Sequence, residues 1–328
     1  MKSIDRRQAL VAIAGATAMG MPTVTFAAGA DRFPEKPVHL VVAFSPGGPV
    51  DTVARLLGKE LSDMWGRPVV VENRPGAAGN IAASAVAKSP PDGHTLLVTD
   101  VALLVSSLMR NSQQADVMAD LTPLTKLVAG PMVLVVATGF QGKTFVETMA
   151  LAKAQPKKLS YASVGNGSIS HLASEMLNTA GGVDVVHIPY QGAGQLLPDL
   201  MSGTVDMAFL GVAVSLPLIQ AGKLRGLAVS GAKRAALLPD LPAIAEIYPG
   251  YEVNSWYGMF APLATPPDLL AKIQQDCAVA LNRPEVAKNL RGRGSEIEAS
   301  TPQAFARKLK EEAALFAPAV KGADLQSK

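Results

Sequence analysis

Val-Val-Ala-Phe-Ser-Pro-Gly-Gly-Pro-Val-Asp-Thr, at residues 41–52, has the pattern of a buried strand that runs through a tight turn into a helix. The apolar run at 40–43 predicts the strand, and apolar residues then recur at helical spacing. Two adjacent glycines let the backbone turn sharply and leave amide N–H groups uncovered, and Asp51 is predicted to cap the helix. Such a turn suits a carboxylate or another small anion, although an ordinary strand-to-helix turn can have the same residues.

The start of the chain has the pattern of a secretory signal peptide, predicted at residues 1–27. Its basic residues are Lys2, Arg6 and Arg7. The apolar segment at 9–21 is too short to span a membrane, and Thr25-Phe26-Ala27 supplies a small-x-small cleavage site. Cleavage is therefore expected near Ala27, and the protein is expected in the periplasm. Residues 5–10 also resemble a twin-arginine export motif, so that route and the general secretory route both stay open.

Length and charge limit the classes of function. Removal of residues 1–27 leaves 301 residues (328 − 27), which is more than one core usually serves, so two domains are expected. The removed piece has three Lys/Arg and one Asp, so the mature net charge is +1 (3 − 2). A balance this close to neutral argues against nucleic acid and against an anionic membrane surface as partners. The single cysteine, Cys277, falls on an apolar helical face and is predicted to be a small buried hydrophobe.

Strand-like and helix-like segments alternate from Val38 onward, which is typical of an α/β fold. Glycine and small polar residues fill the strand-to-helix junctions at 45–51, 75–80, 164–170 and 190–194. In an open α/β sheet the ligand lies beyond the carboxyl ends of the strands. Two facing sheets would therefore direct all four loops into one cleft. Three of the loops contain no Lys or Arg, so their donors are mainly backbone N–H groups and small hydroxyls.

Residues 43–51 resemble the first glycine loop of the Bug family, the extracytoplasmic receptors of tripartite tricarboxylate transporters. Residues 70–81, which contain Asn-Arg-Pro-Gly-Ala-Ala-Gly-Asn, are similar to the second loop of that family. The similarity continues in the expected order at 91–97, 161–168, 170–173, 186–192, 221–225 and 238–242. It covers essentially the whole mature chain.

The resemblance implies an α/β, two-domain fold of the type II periplasmic binding protein kind, with the ligand cleft between the domains. Domain 1 would comprise residues 28–130 and 251–328, and domain 2 residues 131–250. The implied ligand is a small carboxylate or an amino-acid-like molecule, held by backbone amides and bridging waters more than by a salt bridge. The implied partners are the membrane subunits of a tripartite tricarboxylate-type transporter. A monomer with no metal, cofactor or catalytic residue is expected.

The loops and the resemblance together predict a set of ligand-binding residues. They are Phe44, Ser45, Pro46, Gly47, Gly48, Asp51, Ala78, Gly79, Asn80, Asp100, Gly165, Asn166, Gly167, Ser168, His171, Tyr190, Gly192 and Leu210. Two segments depart from the family pattern. Residues 99–104 lack its small, Asn-containing segment, and Leu210 stands where many relatives carry a polar or acidic residue.

Asp100 has two interpretations. If its carboxylate faces the cleft, it repels a second carboxylate and favours a ligand with one carboxylate and an amino, hydroxyl or ring N–H group. The alternative is a solvated or capping Asp at the end of a strand. Trp256 and Tyr257 also have two interpretations: they line the cleft, or they are buried in the core.

Other classes of protein fit the sequence less well. An enzyme would need a positioned catalytic partner, and the chain has no histidine pair with His-x3-His spacing and no Gly-x-Ser-x-Gly elbow. A ligand sensor with a membrane signalling partner would use the same fold. Sequence does not separate a sensor from a transport receptor, because both need a closing cleft and a docking face.

Overall fold

The structure is a computed structural model that describes residues 33–110 and 116–322. The predicted signal peptide at 1–27 lies outside these residues. The strands are β1 (Val38–Val42), β2 (Val69–Asn73), β3 (Thr95–Asp100), β4 (Leu121–Ala137), β5 (Ser160–Ser163), β6 (Val186–Pro189), β7 (Met207–Gly211), β8 (Leu224–Val229), β9 (Asn254–Pro262) and β10 (Glu296–Ile297). The helices are α1 (Pro49–Trp65), α2 (Asn80–Ala87), α3 (Ala102–Met109), α4 (Phe145–Ala154), α5 (Ile169–Gly181), α6 (Ala193–Ser202), α7 (Val212–Gln220), α8 (Pro267–Leu281), α9 (Pro284–Gly292) and α10 (Pro302–Gly322).

The strands form one curved sheet with two halves, in the order β2-β1-β3-β9-β4-β7-β5-β6, and β8 and β10 also pair with β4. In the first half, β1 is parallel to β2 and to β3. In the second half, β5 is parallel to β6 and to β7. Parallel strands present their carboxyl ends at the same edge. The loops after β1 and β2 therefore lie together, and so do the loops after β5 and β6.

Strand β4 joins the two halves. Its residues Leu121 to Pro131 pair with β9, and its residues Met132 to Ala137 pair with β7 and β8. In the sequence, an apolar run at 131–138 marks the second part of this strand. The strand is 17 residues long, and a register shift between Pro123 and Thr125 accommodates its first proline.

Apolar cores lie on both faces of each half. In the first half, Leu40, Leu57 and Cys277 lie in the core beneath α1 and α8, so the predicted burial of the cysteine is confirmed. Trp256 is buried in the core on the other face of that half, and its indole Nε1 donates a hydrogen bond to Glu312 at 2.6 Å. Among the described residues, no helix combines the length and apolarity needed to cross a bilayer.

Candidate functional site

The first glycine loop connects β1 to α1. Helix α1 begins at Pro49 with Gly48 in the N-cap position, so the prediction that Asp51 caps the helix is wrong. Asp51 lies in the first turn and is only 2% exposed. Its carboxylate accepts hydrogen bonds from Gly47 N–H at 2.9 Å, Arg55 Nε at 2.9 Å and Asn73 Nδ2 at 2.8 Å. Burial alone would raise the pKa of Asp51, but the bonds from Arg55, Gly47 and Asn73 outweigh it and hold the pKa at about 2. This carboxylate therefore fixes the turn.

The second loop lies between β2 and α2 and approaches the first half of the sheet closely. Gly79 has a φ of 91°, and a Cβ there would lie 3.1 Å from Thr99 Oγ1 and 3.2 Å from Ala43 Cβ. Only glycine fits this position without displacing a neighbour. The Asn80 side chain donates from Nδ2 to Ala77 O and to Ser106 Oγ, both at 2.7 Å, so it ties the loop to α3.

The third loop lies between β5 and α5, and many of its polar groups make hydrogen bonds within the loop or with the first turn of α5. Gly165 N–H donates to Ser163 Oγ at 3.2 Å, and Gly167 N–H donates to His171 Nδ1 at 3.2 Å. Ser168 caps α5 by accepting a hydrogen bond from His171 N–H at 3.3 Å. His171 is only 4% exposed, and its ring is stacked on His187 with centroids 3.7 Å apart. His171 therefore lies beneath the loop and supports it.

The fourth loop lies between β6 and α6. The Tyr190 hydroxyl donates to Asp199 Oδ2 at 2.7 Å. Burial and this bond to Asp199 raise the pKa of Tyr190 to about 12. Gly192 has a φ of 103° and stands at the N-cap of α6 without a side-chain cap, so the first amides of that helix remain uncovered.

Several backbone amides of the loops are free donors. Among the described residues, the N–H groups of Val50, Asn166, Ile169, Gly192 and Ala193 make no hydrogen bond within the chain. These groups come from the starts of α1, α5 and α6 and from the third loop. Such groups at helix N-termini can bind an anion without a cationic side chain.

A cavity of about 440 Å³ lies where the two halves of the sheet meet, and we call it the junction cavity. Pro49, Ile169, Ala193 and Val212 line it, so helices α1, α5, α6 and α7 all begin at its wall. No Asp or Glu is among its lining residues in the described part of the chain, and the charged residue that lines it is Arg293. The positive ends of four helix dipoles and one guanidinium therefore favour an anion in this cavity.

A second cavity, of about 730 Å³, adjoins the second and third loops, and we call it the loop cavity. Of the predicted site residues, Ala78, Asn80, Asn166 and Gly167 line the loop cavity, and Gly47 and Leu210 line the junction cavity. The structure therefore brings residues of both halves together around each cavity. The other predicted residues line neither cavity: Phe44, Ser45, Pro46, Gly48, Asp51, Gly79, Asp100, Gly165, Ser168, His171, Tyr190 and Gly192.

Asp100 ends β3, and its Oδ1 accepts a hydrogen bond from Ala102 N–H at 2.8 Å. This bond forms an Asx turn before α3, whose N-cap is Val101, so Asp100 is not the capping residue of that helix. Burial raises the pKa of Asp100 to about 7, against the opposing effect of the bond from Ala102. Tyr257, which is opposite Asp100 on β9, lines the junction cavity, whereas Trp256 is buried in the core.

Sequence reasoning missed the start of α7 and Arg293 as parts of the site. The start of α7 carries the same signal as the other loops, an apolar strand followed by Gly211 and a helix. Arg293 has no such signal. It follows α9, more than 80 residues after Leu210 in the sequence, and only the packing of the chain brings it to the junction cavity.

The sequence and the fold have clear matches among known proteins. A family model described as "Tripartite tricarboxylate transporter family receptor" matches residues 53–325. Protein BugT of Bordetella pertussis is 33% identical over 276 residues, which cover 83% of this chain and 85% of BugT.

Two solved structures from Rhodopseudomonas palustris resemble the whole described fold. Rpa4515, whose structure was determined with adipate, is 34% identical with a TM-score of 0.79, and the match covers 89% of this chain and 98% of that one. MatC, with bound malate, is 31% identical with a TM-score of 0.76, and the match covers 88% of this chain and 100% of that one. The predicted two-domain periplasmic binding protein fold is thereby confirmed.

Proposed function

Because the chain belongs to the family of tripartite tricarboxylate transporter receptors, which includes the Bug proteins, we propose that it captures a small carboxylate in the periplasm and delivers it to the membrane subunits of such a transporter. Members of this family are solute-binding receptors and not enzymes. The proposal includes the individual ligand, delivery to a transporter, action as a monomer and export by a signal peptide at 1–27. Cell fractionation of the full-length protein tests the export.

The observation that carries the proposal is the convergence of helix N-termini on the junction cavity. Helices α1, α5, α6 and α7 come from both halves of the sheet, and each begins at the cavity wall. A carboxylate there would receive backbone N–H bonds and favourable dipoles, with Arg293 as the nearby cation. The solved relatives that contain adipate and malate support a carboxylate as the ligand class.

We further propose that binding closes domain 1, residues 28–130 and 251–328, against domain 2, residues 131–250. Residues of the two proposed domains already meet on both sides of the site. A Cβ on Gly167 would overlap the Met109 side chain, and a Cβ on Gly294 would overlap Val212. Glycine at 294 therefore permits a close approach that a larger residue would prevent, whereas the flexible end of Met109 can move away from a Cβ at position 167.

A thermal-shift screen of the purified mature protein against adipate, malate, citrate and aspartate tests the proposal. A ligand at 100 times its dissociation constant stabilises the folded protein by about 2.7 kcal/mol, which raises the unfolding temperature. Acetamide and 1,6-hexanediol, which have no carboxylate, serve as controls and should give no shift. If no acid in the panel raises the unfolding temperature, the protein is not a receptor for this class of small carboxylates.

A further inference from the structure

The walls of the junction cavity are predominantly apolar. Pro49, Pro131, Val164, Ile169 and Val214 line it and keep accessible apolar surface, whereas Val128, Phe209 and Leu210 are at most 4% exposed. The accessible side chains come from α1, β4, α5, α7 and the loop after β5, so apolar surface faces the cavity from both halves of the sheet. The polar side chains that line it are Thr52, Ser170, Tyr257, Ser255, Ser295 and Arg293.

This lining discriminates between two kinds of carboxylate. A ligand with several hydroxyl or carboxylate groups would have to pair each of them with these six polar side chains or with the uncovered amides, and any buried polar group left without a partner is costly. A hydrocarbon chain or ring would instead gain from contact with the same walls. The volume of about 440 Å³ lies within the range of about 300–1,000 Å³ that is usual for small-molecule sites.

We propose that the ligand is a carboxylate with an apolar body, an aliphatic chain or a ring, and that this body occupies the junction cavity. The carboxylate is bound at the helix N-termini, and the apolar body lies against Val164, Ile169 and Val214. The inference rests on the proposed function and specifies its ligand. Polyhydroxylated acids and tricarboxylates are poor ligands of such a site.

Titration calorimetry with unbranched monocarboxylates from acetate to octanoate, together with malate and citrate, tests this inference. Each buried CH2 should raise the affinity about fourfold until the cavity is full, and hexanoate should bind more tightly than malate or citrate. An affinity that does not change along the series overturns the inference and leaves the proposed function standing. The same conclusion follows if malate or citrate binds most tightly. If none of these acids binds, this inference fails, and the proposed function fails as well only if adipate and aspartate also give no thermal shift.

Two glycine substitutions locate the apolar body. Gly211 lines the junction cavity, its φ is −62°, and a Cβ there would meet no atom within 4 Å. Gly211→Leu should therefore place a side chain in the cavity and abolish the gain in affinity from butyrate to octanoate. Gly139 also has open space for a Cβ and lies in the turn after β4, so Gly139→Leu is the matched control and should keep that gain. If Gly211→Leu also keeps it, the apolar body lies elsewhere and the inference is wrong. If Gly211→Leu does not fold, the calorimetric series on the wild-type protein alone tests the preference for an apolar body.

Discussion

Gly47 and Gly48 are adjacent in the first loop but have different backbone conformations. Gly47 has a φ of 81°, which favours glycine, whereas Gly48 has a φ of −73°, which any residue adopts. A Cβ on Gly48 would lie 3.4 Å from Ser45 O, an ordinary contact. The sequence shows that the turn needs glycine but does not show which of the two has the left-handed conformation.

Substitution of each glycine by alanine tests this difference. Gly47→Ala should destabilise the fold by about 1–2 kcal/mol, because an L-residue is strained at this φ. It should also weaken ligand binding, because Gly47 lines the junction cavity. Gly48→Ala is the matched control and should change stability by less than about 0.5 kcal/mol. Chemical denaturation measures the stability and calorimetry measures the ligand affinity. Equal losses of stability in the two variants would contradict the assignment of the left-handed conformation to Gly47.

His171 supports the third loop only when its ring is neutral. Nδ1 accepts the hydrogen bond from Gly167 N–H, and protonation would convert Nδ1 into a donor and break that bond. Burial, and then the charge of the stacked His187, lowers the pKa of His171 from 6.5 to about 4. The folded state therefore binds fewer protons than the unfolded state between these values. The stability that depends on the neutral ring is complete above pH 6.5 and is lost as the pH falls towards 4.

Two substitutions of His171 separate support of the loop from simple packing. His171→Leu leaves the Gly167 N–H without an acceptor, which should cost about 1–3 kcal/mol at pH 7.5. The same change should reduce the loss of stability between pH 7.5 and pH 5. His171→Asn offers an amide oxygen near the position of Nδ1 and should keep more of the stability at pH 7.5. Urea denaturation at the two pH values measures the free energy of unfolding. If its pH dependence is unaltered in His171→Leu, the neutral ring of His171 does not support the third loop.

At the scale of elements, Asp51 joins the start of α1 to the end of β2 through Asn73. Its pKa is lowered from 3.8 to about 2, so its contribution to stability is complete above pH 3.8 and is lost as the pH falls towards 2. Asp51→Asn should therefore cost about 2 kcal/mol at pH 7. Asp63→Asn removes an exposed carboxylate paired with Lys59 and should cost less than about 0.5 kcal/mol. Thermal denaturation compares the two variants. If both destabilise the protein equally, the contacts of Asp51 do not hold the start of α1 to the end of β2.

The elements that depend on local sequence were predicted well. The strand–glycine–helix pattern correctly predicted β1, β2, β5 and β6, each followed by a helix, because alternation and helical spacing are local properties. The apolar run at 131–138 was the only part of strand β4 apparent in the sequence, because the sequence does not show that β9 continues the pairing through Pro123 and Pro131. Arg293 and Tyr257 came to the site through packing between distant segments, which no local pattern contains.

At the scale of the whole molecule, the two halves of the sheet share β4 and also share a core. Leu172 of α5, from the second half, lies in the same buried cluster as Phe305 and Phe316 of α10. The halves are thus joined by a continuous strand and by apolar packing, and the junction cavity lies between them. This arrangement lets the helix N-termini of both halves reach one ligand.

A crystal structure of the protein with the tightest-binding acid from the calorimetric series tests the central proposal most directly. The proposal predicts one bound acid in the junction cavity. Its carboxylate should lie within hydrogen-bond distance of N–H groups at the starts of α1 and α5, one from each half of the sheet. An acid bound to one half alone, or outside the junction cavity, would contradict the proposal that both halves hold the carboxylate together.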